Sequence, residues 1–147
     1  DDNEKTLKKI VADGHEIANH GYFHKDHKAL NYENNKKEIE LCSTVVNALC
    51  GVKPTLFAPP SGSFSETTLA VANELGYQVI MWSKDTIDWR DHDTQLIYSR
   101  ATKNIKGGDL ILMHPTDNTV LALSAIIENY KINNFNITTV TDNLLTI

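Results

Sequence analysis

No apolar run in this 147-residue chain approaches the roughly 20 residues that a membrane-spanning helix requires, so no span is expected. Basic residues are in the minority, 14 Lys and Arg against 19 Asp and Glu. The net charge of −5 leaves no electrostatic footprint for a nucleic acid. Cysteine is scarce: Cys42 and Cys50 stand eight apart in a helix-like stretch. Eight residues of helix cover about 12 Å, beyond the roughly 7 Å that a disulfide bridges between Cα atoms. Both therefore read as free thiols on or near the core. The chain has no repeat, no linker and no compositional break, which points to one domain over 1–147. It opens at Asp1 with neither Met nor a signal-type segment, the mark of a processed product or a piece of a longer protein. Hydrophobic residues at 41% and charged residues at 22% are those of an ordinary globular domain with a real core.

Periodicity divides what is there into alternating helices and strands. Leu7, Ile10 and Val11 predict a helix over 1–13, capped by Asp2 or Asn3 and ended by Gly14. A short strand is expected at 15–19. Ile39, Cys42, Val45, Val46 and Leu49 form the apolar stripe of a helix over 32–49, whose Asn-Lys-Lys-Glu side should face water. Strands are expected at 55–58, 77–82, 109–113 and 136–140. Helices are expected at 65–75, 94–104 and 118–131, with a last turn at 142–145, and a polar loop at 83–93. Such alternation argues for a parallel α/β architecture.

Chemistry-bearing residues recur after these strands. His20, His24 and His27 lie in one short loop, and on a helical turn the four-residue spacing of His20 and His24 would bring both imidazoles to one face. That is the reach needed to share a divalent metal. Pro59, Pro60 and Ser61 follow the next strand, Asp85 and Asp88 the third, and His114 the fourth. In a (β/α) barrel the C-terminal strand ends share one face, which carries the chemistry. His15 and His27 read as structural, His92 as a solvated loop residue and Trp82 as core.

Four ordered stretches resemble the motifs of the polysaccharide deacetylases of carbohydrate esterase family four, the NodB-homology type. Gly14-His15-Glu16-Ile17-Ala18-Asn19-His20-Gly21-Tyr22-Phe23-His24 resembles the family's metal motif. Phe57-Ala58-Pro59-Pro60-Ser61-Gly62, Asp85-Thr86-Ile87-Asp88-Trp89 and Leu112-Met113-His114 resemble its later motifs. The resemblance implies an incomplete, distorted (β/α) barrel and metal-dependent removal of acetyl groups from an N-acetylated polysaccharide outside the cell membrane. It implies that His20 and His24 bind the metal, usually zinc, with cobalt or nickel also suited to two imidazoles. By the same resemblance His114 is the general acid and Asp88 its partner. Trp89 and Leu112 line the acetyl pocket, and the Ser61 main-chain N–H beside Pro60 faces the oxyanion. Asp85 would be a loop-shaping hydrogen-bond acceptor.

Three departures qualify that expectation. The family's Thr-Phe-Asp-Asp motif, source of the base and the third metal ligand, does not occur in the chain. Asp1-Asp2 lies only 18 residues before His20 and leads into Asn-Glu, so it is no substitute. The N-terminal part of the domain, with its first strands, is therefore expected to be missing here. Ala58 stands where the family has Arg, and Gly21 where it has Ser or Thr. The Ala-Pro-Pro-Ser-Gly lettering resembles a sporulation-associated subgroup from Gram-positive bacteria. Two functions remain open: a cell-wall-type N-deacetylase acting on peptidoglycan or a chitin-like polymer, and an impaired relative that binds glycan or serves wall or spore assembly.

Overall fold

The computed structural model describes residues 2–145, which separate into two compact units meeting in sequence at Met81 and Trp82.

The first unit begins with α1, Asp2–Ala12. Asn3 lies within this helix and so does not cap it. Asp1 and the side chain of Asp2 lie outside the described residues. Gly14, at φ +86, ends the helix where an L side chain would be strained. α2 spans Tyr32–Cys50, capped by the Asn31 side chain and closed by Gly51 in the left-handed conformation. β1, Leu56–Phe57, pairs in parallel with β2, Gln78–Val79. The expected strand at 15–19 is reduced to one parallel bridge between Asn19 and Phe57. Between β1 and β2 runs α3, Glu66–Glu74, whose Ser65 and Thr68 form a reciprocal capping box. Ile39, Phe57, Val71 and Ala72 make the core, each fully buried. Removing a side chain the size of Ile39 or Phe57 from water contributes about 1.5–3 kcal/mol.

The helix α2 departs from its expected orientation. Val45 is exposed, whereas Asn35 and Glu38, from the side expected to face water, are buried. Period alone assigns polar residues to solvent. These two instead satisfy polar groups inside the protein, as described below.

In the second unit β3, Lys84–Asp85, pairs in parallel with β4, Ile111–Leu112. α4, Thr94–Thr102, is capped by Asp93, and α5, Asp117–Ile132, by Thr116. α6 covers Val140–Leu145. Ile97, Ala101, Ala122, Ile126 and Tyr130 pack as its core, and the Tyr130 hydroxyl donates to the Ala101 carbonyl at 2.9 Å. β3 arises inside the expected polar loop, because its pairing is made by main-chain groups. No strand forms at 136–140, where Asn136, Ile137 and Thr138 are exposed. Trp82 is half-buried rather than core. Cys42 and Cys50 are free thiols, both half-buried.

Candidate active-site residues

His20 and His24 approach each other with ring centroids 5.0 Å apart, edge to face. The approach is made by a loop and not by a helical turn. Residues 20–26 are irregular, and His24 itself sits at φ +52. What shapes the loop is buried polar chemistry. The Asn19 side chain accepts from the Gly21 N–H at 2.9 Å and donates to the Ile39 carbonyl and the Ser43 hydroxyl, each at 2.8 Å. Glu38, only 3% exposed, accepts from the main-chain N–H groups of Phe23 at 2.7 Å and Tyr22 at 3.2 Å. Burial raises the Glu38 pKa, but the Phe23 N–H, Lys25 and the Tyr22 N–H outweigh it, and the net shift is downward. Lys25 completes the arrangement 3.3 Å from Glu38.

His27 is fully buried against the Phe57 ring. Its Nδ1–H donates to the Asn35 side-chain oxygen at 2.8 Å. The Asn35 amide nitrogen is turned to the carbonyls of His27, Leu30 and Asn31, which fixes the amide orientation. Burial keeps the His27 ring neutral by lowering its pKa, against the opposing pull of Asn35, Glu38 and Asp26. Its Nε2 is buried without a hydrogen-bond partner. A Cβ on Gly21 would stand 2.9 Å from that nitrogen, and Gly21 has φ +73. Both facts require glycine there.

The Nδ1 of His20 lies 2.6 Å from the Ala58 carbonyl, to which it must donate. That contact fixes the tautomer and leaves Nε2 with its lone pair, the usual arrangement of a metal-binding histidine. The Ala58 contribution is thus a main-chain one. Pro59 and Pro60 are buried, and Ser61 is exposed in the left-handed conformation at φ +55.

In the second unit Asp88 is fully buried and accepts three hydrogen bonds. The His114 main-chain N–H donates at 2.5 Å, the His114 Nδ1–H at 2.7 Å and the Thr119 hydroxyl at 2.7 Å. Burial opposes ionisation of Asp88, yet these donors together hold its carboxyl below the usual range. The His114 ring is partly exposed, with Nε2 left for other contacts. Trp89, next to Asp88, is 56% exposed. Asp85 accepts from the Ile87 N–H at 2.8 Å and so shapes the loop, and Leu112 is half-buried opposite it in the strand register. Arg100 braces the same loop through the Thr86 carbonyl at 3.0 Å and the Asp91 carboxylate at 2.7 Å.

Sequence reasoning missed Glu38, Asn35, Thr119 and Arg100. Thr119 was detectable as the third residue of a capped helix that follows His114, but the others carry no motif. As metal donors, His20 and His24 fit a divalent ion of the zinc, cobalt or nickel kind as two corners of a site. Among the described residues no third His, Cys, Asp or Glu joins them.

The polysaccharide deacetylase family model matches residues 1–80. The chain is 39% identical over 140 residues to the uncharacterized protein YlxY of Bacillus subtilis, covering 95% of this chain and 44% of that protein. A peptidoglycan-N-acetylglucosamine deacetylase of Bacillus cereus is 33% identical over 147 residues, covering 95% of this chain and 68% of the relative. Among solved structures, a CE4-family pseudoenzyme from Bacillus anthracis superposes with a TM-score of 0.92 at 31% identity, over 97% of this chain and 51% of its own. The chain thus spans about half the length of several relatives it matches. Their mixed α/β fold is the fold of this chain, and with the family model matching more than half of it, the chain belongs to the polysaccharide deacetylase family.

Proposed function

We propose that this chain carries the proton-donor half and two metal ligands of an N-deacetylase acting on a cell-wall-type polysaccharide, peptidoglycan or chitin-like. The observation that carries this reading is the His114–Asp88 pair. A fully buried carboxylate with three donors is costly to maintain unless it positions something. With Nδ1–H committed to Asp88, His114 uses Nε2 to carry a proton to the departing amine nitrogen. The anionic partner offsets the charge of the imidazolium. In the same reading Trp89 and Leu112 would serve the acetyl pocket, and the Ser61 main-chain N–H, next to Pro60, would serve the oxyanion. His20 and His24 would hold a divalent metal ion, of the zinc kind by donor chemistry, which when bound supplies Lewis acidity towards the acetyl carbonyl. Such a site needs a further protein donor from outside residues 2–145. The same reading takes 1–147 as one deacetylase-like domain on an incomplete (β/α) barrel, working outside the cell membrane. It is supported by the parallel pairing within each unit and by peptidoglycan deacetylases among the relatives.

A second reading is an impaired relative that binds glycan or serves wall or spore assembly. Two observations favour it: Ala58 in place of the family's Arg, and the likeness to a pseudoenzyme. Acetate release from N-acetylglucosamine oligomers and peptidoglycan, with zinc or cobalt added to the longest form of the protein, separates the two. Release abolished by His24→Ala and by His114→Ala supports the deacetylase. Retained glycan binding without release supports the impaired relative.

A further inference from the structure

The loop that carries His20 and His24 also presents two aromatic rings to solvent. Phe23 is 61% exposed and Tyr22 45% exposed. Their rings meet edge to face with centroids 4.6 Å apart, and the Lys25 ammonium lies 5.2 Å from the Phe23 centroid. Together they form a small apolar patch, in which Lys25 lies over one face of the Phe23 ring. Their backbone is already ordered, because the buried Glu38 grips both main-chain N–H groups. A ligand landing on them therefore loses little free energy to loop ordering, and each ring has only two side-chain torsions to settle.

We propose that Tyr22 and Phe23 form a docking platform for a pyranose ring of the polysaccharide, beside the His20–His24 pair. The proposal rests on the glycan reading above. A pyranose presents a face of C–H groups that an aromatic face covers without loss of hydrogen bonds, while its hydroxyls at the rim stay wet. Tyr22 adds a phenolic hydroxyl to that rim. Tyr22 and Phe23 lie one or two residues from the histidines, so their Cα atoms are within roughly 8 Å of those of His20 and His24 respectively. A sugar on the platform is then a near neighbour of one whose acetyl group reaches the histidine pair.

The test is calorimetric titration of the chain with an N-acetylglucosamine pentamer, beside the double variant Tyr22→Ala with Phe23→Ala and the single variant Phe23→Tyr. The double variant is expected to raise Kd about tenfold. Phe23→Tyr should bind like the parent, and the ring NMR signals of His20, His24 and His27 should stay in place in all three. Unchanged affinity in the double variant overturns the platform and leaves the glycan reading standing. Displaced histidine signals accompanying weaker binding also overturn it, since the loss is then one of loop structure. Failure of the parent chain to bind the pentamer overturns the glycan reading and the platform together.

Discussion

At residues 20 and 114 an imidazole is held through Nδ1–H, but the acceptors differ. His20 donates to the neutral Ala58 carbonyl, and His114 to the carboxylate of Asp88. A carbonyl fixes a tautomer without adding charge, which suits a ring that offers a lone pair. A carboxylate adds a full negative charge, which suits a ring that carries a proton. His27 repeats the pattern a third time with the Asn35 amide, but there Nε2 is buried and unpartnered, and the ring serves the loop alone. On the proposed reading the same side chain takes three jobs according to the charge of its Nδ1 partner and the burial of Nε2.

Breaking the charged partner should have the largest effect. Asp88→Ala strands the His114 N–H and the Thr119 hydroxyl and should cost about 3 kcal/mol of stability. Both tryptophans, Trp82 and Trp89, lie in the second unit, so urea unfolding followed by tryptophan fluorescence reads it directly. Gly21→Ala should cost about 2 kcal/mol, from left-handed strain and from contact with His27 Nε2. Displaced His20 and His24 ring NMR signals would register it.

The pH windows of the two units should also separate. The neutral His27 is depressed below its ordinary 6.5, so its contribution is complete above that value and declines as pH falls below it. The depressed Asp88 contributes fully above about 3.8, and that contribution is lost as pH falls through its lower folded value. Between pH 7 and 5 protection against hydrogen exchange, corrected for the intrinsic rate, should therefore fall in residues 2–81 before 82–145, and His27→Asn should flatten that response. Equal loss of protection in both units would break the comparison. Ala58→Ser should change stability by less than about 0.5 kcal/mol and leave the His20 ring signal in place, because Ala58 meets that ring through its carbonyl and not through its side chain.

The features legible from sequence were those carried by local chemistry. Gly51, Ser65 and Asp93 mark helix ends by capping, and the three helices concerned form close to their expected places. The histidine pair was legible in its four-residue spacing, and the Asp88–His114 pair in the resemblance of its two motifs to those of the family. The supports were not. Glu38 and Asn35 look solvated because helical period sorts residues by polarity, and nothing local reveals that Tyr22, Phe23 and His27 need acceptors from α2. Lys84–Asp85 pairs through its main chain and carries no apolar signal. Asn136–Ile137–Thr138 has strand-like lettering but remains exposed and unpaired by strand bonds.

Glu38 holds residues 22 and 23 by their main-chain N–H groups and touches neither side chain through those bonds. Every amino acid except proline presents the same N–H. The shape of the loop is thereby uncoupled from its lettering at these two positions. The two side chains beside the histidines can therefore be exchanged without refolding the loop that carries them.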